Sequence, residues 1–265
     1  MYGFEDDYSY DEQFFSIEDT RQDLDRVVKY FRSLPYHEHA MQLSVVDYRK
    51  LPMSVADDAD CFWIDEELLI GELPEWIRVD SLGIVKKNKY MPMFGRLIYP
   101  VKDVKGDVMG FCGWDPFVTP KYLDSKNYGY KAKLTTVYGM EKLPEYYSST
   151  KPIFVTEGIV DALYLRWKGY CSLALLGSHM TPYVTQILKR FGNRLIMIPD
   201  NDEAGTSLVQ QVKRTLPKSI IIQSRYGKDI DGCRKLNDGE YENELLSELS
   251  SLNNPFVKTK LLIRV

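Results

Sequence analysis

From Lys151 onward, short apolar runs alternate with longer amphipathic segments: PIFVT, IVDALYLRWKG, CSLALLG, TPYVTQILKRFG, RLIMIPD, EAGTSLVQQVKRTL and SIIIQS. The short runs read as strands and the longer ones as helices, the second helix opened by Thr181 and Pro182. Parallel strands need a crossover between them, so this order predicts an α/β domain with a mostly parallel sheet flanked by helices. In such a sheet every strand points the same way, and the loops at the carboxyl ends form the working edge.

Three pairs of carboxylates fall at that edge: Glu157 and Asp161 in VTEGIVDAL, Asp200 and Asp202 in IPDNDEAG, and Asp229 and Asp231 in GKDIDG. Gly158 permits a tight exit from its strand, and Asp161 enters the first turn of the next helix, where a carboxylate suits the helix dipole. The two-residue spacing of Asp200 and Asp202 places both on one side of an extended segment, and Asp229 and Asp231 repeat it. Gly205 lets the following helix start close behind. Two like charges about 4 Å apart repel by roughly 4 kcal/mol at a protein surface. Converging carboxylates therefore either bind cations or stay partly protonated. Oxygen-only donors suit hard ions, Mg2+ or Mn2+ rather than zinc. Two such ions support phosphoryl transfer, with the direction left open.

Upstream, Leu24, Val27, Val28 and Phe31 recur at helical spacing, with Asp19 or Thr20 as cap and Ser33 and Pro35 as the stop. EELLIGELPEWI is compatible with strand or helix. RLIYPVKD and VMGFCGWDP, joined through Lys105, Gly106 and Asp107, predict a hairpin, with further extended pieces beside it. KLTTVYGM is another β-prone run. The region is mixed α+β.

The net charge of -4 gives no global signal for nucleic acid, but its distribution is uneven. Glu5, Asp6, Asp7, Asp11 and Glu12 open the chain, whereas lysines and arginines, among them Arg96, Lys121 and Lys133, crowd its middle. At 44% hydrophobic composition the chain can bury a sizeable core. No stretch is long and apolar enough for a membrane span, and the N-terminus is unlike a signal peptide, so a cytoplasmic location is expected. Cys61, Cys112, Cys171 and Cys233 lie far apart without CxxC pairing, against a zinc ribbon or a disulfide scaffold. His37 and His39 read as surface or turn histidines. His179 sits at another strand end.

The EGxxDA, DxDxAG and later DxD motifs, in that order, resemble the Toprim signature of bacterial-type primases, topoisomerases and some nucleases. GRLIYPVKDVKGDVMGFCGW, TPKYLDS and KLTTVYGMEKLPE extend the resemblance over residues 90–238 to the catalytic core of DnaG-type primases. The resemblance implies RNA primer synthesis on single-stranded DNA from ribonucleoside triphosphates with two divalent ions and no zinc. It assigns Glu157, Asp200 and Asp202 to catalysis and Glu157, Asp161, Asp200, Asp202, Asp229 and Asp231 to metal, with Arg96, Lys121 and Lys133 contacting nucleotide or DNA.

Two positions depart from the family. Trp114 stands where a basic residue is usual, suited either to base stacking or to packing. Asp124 replaces an asparagine. With neither a zinc module nor a GxxxxGK[ST] loop in the sequence, the chain resembles a phage-encoded minimal form acting in a bacterial host cytoplasm. A replicative helicase or a separate template-recognition subunit is then the expected partner. The implied organisation is an acidic arm and first helix at 1–35, a basic α+β subdomain at 36–148, a Toprim domain at 149–238, and a C-terminal helix and tail at 239–265. A Toprim nuclease and a catalytically degenerate nucleic-acid-binding accessory protein are the alternatives.

Overall fold

Four-stranded sheets organise both halves of the chain, but the connections dictate opposite strand arrangements. The computed structural model describes residues 17–65, 73–74, 76–77, 93–125, 136–177, 179–223, 227–235 and 240–252. In the first half, β1 (Phe62–Ile64), β2 (Arg96–Lys102), β3 (Val108–Trp114) and β4 (Tyr122–Asp124) pair antiparallel in sequence order. The predicted hairpin is β2–β3. Its turn is held by the Asp103 carboxylate, which accepts from the amides of Lys105 and Asp107, and Gly106 takes the left-handed conformation the turn requires (φ 92°).

In the second half, β5 (Ile153–Thr156), β6 (Cys171–Ala174), β7 (Leu195–Ile198) and β8 (Ile220–Ile221) form a wholly parallel sheet in the order β6-β5-β7-β8. The KLTTVYGM run contributes one antiparallel bridge, Tyr138 to Ala174, at the β6 edge.

The helices follow the apolar stripes. In α1 (Ile17–Arg32), Leu24, Val27, Val28 and Phe31 are buried together with Phe62, Ile98, Val108 and Phe111, on the outer face of the antiparallel sheet. The helix begins before the expected cap, so Asp19 and Thr20 lie inside its first turn. A short helix α2 (His37–Met41) runs into a π-helical stretch, Gln42–Tyr48, and α3 (Met53–Asp58) follows. Later helices are α4 (Leu143–Ser148), α5 (Ile159–Trp167), α6 (Pro182–Lys189), α7 (Glu203–Thr215), α8 (Ile230–Lys235) and α9 (Glu240–Leu252). The acidic arm before residue 17 and most of EELLIGELPEWI lie outside the described residues.

Side chains alternate between cores as period-two strands require. Along β2, Leu97, Tyr99 and Val101 enter a central core while Ile98 joins the α1 core. Along β7, Ile196 and Ile198 enter the same central core, and Leu195 and Met197 face α6 and α7 on the far side. One apolar layer is thus shared by the two sheets, which seats the antiparallel sheet beside the parallel one. Among the described residues no helix is long and apolar enough to cross a membrane.

Phe31 stacks on Phe62 with ring centroids 5.3 Å apart. Phe31→Ala is expected to cost about 3–5 kcal/mol in equilibrium urea unfolding, the usual range for a buried aromatic. A loss below about 1 kcal/mol would show that α1 does not help hold the sheet.

Candidate active site at the carboxyl edge of the parallel sheet

Backbone donors, rather than side-chain cages, set the acidic groups at this edge. β5 ends at Thr156 and delivers Glu157, whose Oε1 accepts the backbone N–H of Asp200 at 3.0 Å. Asp161, in the first turn of α5, accepts the backbone N–H of Asp231 at 2.8 Å. Asp202 caps α7, accepting from the amide of Gly205 at 2.9 Å. The helix approaches so closely there that a Cβ on Gly205 would overlap the carbonyl oxygen of Asp200, which explains the glycine of DxDxAG. The third loop is tied to the second by the Asn201 N–H, which donates to the carbonyl of Lys228 at 2.6 Å. Asp229 accepts the amide of Gly232 at the start of α8.

The electrostatics separate these groups. Burial, reinforced by the neighbouring charges of Glu157 and Asp229, pushes Asp200 up to about 7. Asp161 is buried and held well above the usual carboxylate range, first by burial and then by the charge of Asp229. Burial also raises Glu157. Asp202 is lowered, chiefly by its bond from Gly205 and then by Lys228. The Lys228 ammonium lies 3.0 Å from Asp202 and 3.6 Å from Asp200, so it bridges the second pair. The charges of Glu157 and Asp229 thus reach Asp200, and those of Asp229 and Asp200 reach Asp161, close enough to favour the protonated form of each. Among the described residues, however, no three acidic, histidine or cysteine side chains already stand as a set of metal ligands. The donors are hard oxygens in a partly buried edge, which fits Mg2+ or Mn2+.

Asp231 stands beside Asp161 and adds to its shift, but its own carboxylate is engaged elsewhere. Asp229 and Asp231 begin a helix rather than share a face of an extended segment, and two residues along a helix diverge by roughly 200°. The Asp231 carboxylate points to the other half of the chain. It lies 3.0 Å from Arg49 and 2.7 Å from Lys235, and pairs with Arg234 as well. Burial alone would raise it, but Lys235, Arg234 and Arg49 outweigh burial and hold it below the usual range.

The predicted basic contacts are dispersed. Arg96 is buried, and its guanidinium donates to the carbonyls of Lys121 and Pro120 at 3.0 and 3.2 Å, so it holds the β3–β4 loop. Lys121 is exposed on that loop. Lys133 lies outside the described residues. Trp114 is buried, with the guanidinium of Arg49 3.8 Å from its ring centroid, so it packs beneath a cation. Asp124 sits in β4, paired opposite Cys112. His179 is exposed after β6, His37 and His39 lie in α2, and all four cysteines are buried thiols.

The arrangement joins an acidic sheet edge to an antiparallel sheet, and comparison with known proteins finds both parts. A Toprim-like family profile matches residues 154–233. The DNA primase of Campylobacter jejuni is 30% identical over 191 residues, 67% of this chain and 31% of the relative. The DNA primase of Aquifex aeolicus is 28% identical over 252 residues, 89% of this chain and 50% of the relative. A DnaG primase catalytic domain solved with single-stranded DNA superposes with a TM-score of 0.69 at 22% identity, covering 87% of this chain and 78% of that one. The chain is a homologue of the DnaG primase catalytic core and carries a Toprim domain. It spans about a third of the length of several of these primases. The Toprim domain is the parallel sheet with its flanking helices, and the antiparallel sheet precedes it.

Sequence reasoning missed Arg49 and Lys228, whose partners lie on distant segments or across loops, and Arg234, which pairs with Asp231 on its own helix and with carbonyls of the first half. The adjacency of Lys228 to Asp229 and the three-residue spacing of Asp231 and Arg234 were the signals on offer. Arg49→Met is expected to destabilise the chain by about 2–3 kcal/mol, since it removes one cation from a partly buried cluster that keeps two others. Urea unfolding followed by the fluorescence of Trp114 and its neighbours checks this, and an unchanged midpoint would count against the cluster. Gly205→Ala is expected to displace α7 from Asp200 and to lower stability by more than 1 kcal/mol, read by the same titration.

Proposed function

We propose that this chain is the polymerising core of a DNA primase, making short RNA primers on single-stranded DNA from ribonucleoside triphosphates. The observation that carries the reading is the cluster of Glu157, Asp161, Asp200 and Asp229 at the strand ends of a DnaG-type core, where Glu157 and Asp161 are buried and the charges of Glu157 and Asp229 raise Asp200. Such a cluster is stable as anions only with added positive charge. Asp161, Asp200, Asp202 and Asp229 would hold divalent ions, with Glu157 beside them. A bound divalent cation supplies charge for phosphate oxygens and acidifies a hydroxyl.

The chain's own groups do the rest. Glu157 takes the proton of the primer 3′-hydroxyl as its oxygen bonds to the α-phosphorus, and the bond to pyrophosphate breaks. Lys228, whose side chain is 60% exposed, turns its ammonium from Asp200 and Asp202 to the triphosphate. Lys121 meets the DNA backbone on the β3–β4 loop, and Lys133 is assigned the same role by its motif. The DnaG domain solved with single-stranded DNA supports the template assignment. A helicase or separate template-recognition chain is the expected partner for start-site choice.

Incubation with single-stranded DNA, labelled ribonucleotides and Mg2+ or Mn2+ is expected to yield oligoribonucleotides. Asp200→Ala should lower the yield at least about 100-fold, roughly 3 kcal/mol of transition-state stabilisation. Shortened DNA without new RNA would indicate a nuclease instead. Because Asp200 holds its proton up to about 7, cation binding must displace that proton. Mn2+ affinity should therefore rise from pH 6 to pH 8 and then level off, with proton release seen as a buffer-dependent heat by calorimetry. Affinity that stays flat across that window would place the ion elsewhere.

A further inference from the structure

The β3–β4 loop presents an apolar ring that the fold does not use. Phe117 is 84% exposed, and Tyr48, its neighbour at a centroid distance of 6.0 Å, is 44% exposed. Tyr48 in turn leans on buried Trp114 at 5.4 Å, so the three rings form a graded row from core to solvent. Leaving a large aromatic this open forgoes most of the stabilisation its burial would give. The loop is nevertheless tightly built. The Asp115 carboxylate accepts the Phe117 amide at 2.8 Å, the Asp115 amide donates to the Lys121 carbonyl at 2.9 Å, and Arg96 grips the carbonyls of Pro120 and Lys121. An exposed ring on a fixed loop is preorganised to receive a flat partner.

The charges beside it select the partner. Lys121 is exposed at the end of the same loop, and the Lys235 ammonium lies 5.9 Å from the Tyr48 ring centroid. The Asp115 carboxylate is turned back onto its own loop. Aromatic faces beside an exposed ammonium match unpaired bases joined by phosphates, because stacking tolerates any base while Lys121 follows the backbone. A duplex keeps its bases stacked inside and offers no such face. Through Lys235 and Asp231 the row is linked to Asp161, so a strand on it lies next to the acidic edge.

We propose that Phe117 and Tyr48 form a stacking platform for unpaired bases of single-stranded DNA entering the acidic edge. The proposal deepens the primase reading and rests on it for the identity of the strand. It is tested with the full chain by fluorescence anisotropy on a labelled oligothymidylate, the same oligomer with abasic sites, and a duplex. Phe117→Ala is expected to weaken oligothymidylate binding roughly 5- to 150-fold, from about 1–3 kcal/mol per stacked base. Phe117→Trp should restore it to within about twofold of wild type. The abasic oligomer should bind wild type and Phe117→Ala alike, and thermal unfolding should not change, since the ring is exposed. Wild-type affinity in Phe117→Ala, an equal loss on the abasic oligomer, or no single-strand binding by the wild type would overturn the platform. Phe117-dependent binding without primer synthesis would instead sink the primase reading and leave the platform standing.

Discussion

A partly buried carboxylate, Asp231, ties the two halves of the chain together. Asp231 receives Arg49 from the first half and Arg234 and Lys235 from its own helix. Arg234 then reaches back, donating to the carbonyls of Arg49 and Lys50. The interlock is reciprocal, an arginine of each half bound to a group of the other. Desolvating such charges is costly, and the cost is offset only when each keeps good partners, so the cluster tolerates few alternative arrangements. A greasy interface would slide more easily. This one fixes register, and the apolar layer shared by the sheets supplies the burial.

The acidic edge depends on that fixed register. Asp231 places its side chain in the interlock and its amide on Asp161, so one residue couples the junction to the site. Glu157 is tied to the Asp200 amide in the same manner. Backbone donors hold these carboxylates without neutralising them, which leaves the cluster in need of outside positive charge. The π-helical stretch Gln42–Tyr48 matters for the same reason. Its wider turn ends at Arg49, whose amide donates to Ser44, and it sets Tyr48 and Arg49 against Trp114. π-Helical turns often mark functional positions.

Much of this was legible in the sequence where physics acts locally. Strand and helix periods announced β5 to β8 and their helices, and the turn residues announced the β2–β3 hairpin. The carboxyl-edge position of Glu157, Asp161 and Asp200 followed from the crossover rule alone. The expectation that Asp229 and Asp231 share one side of an extended segment went astray because a two-residue spacing has opposite meanings in a strand and in a helical turn. Arg96 was read as a nucleic-acid contact, since a sequence does not say whether a guanidinium faces solvent or a backbone carbonyl.

What the sequence determined by itself is the alternation of elements, and hence a parallel sheet with acids at one end. Periodicity and handed crossovers require no knowledge of distant residues. Tertiary structure alone decided which carboxylates share charge, which one is claimed by arginines, and which aromatic stays outside. Those outcomes depend on distances between Arg49 and Asp231, or Tyr48 and Phe117, that only packing sets. Charge interactions fall off over a few ångströms inside the fold, and separation along the chain carries no record of them.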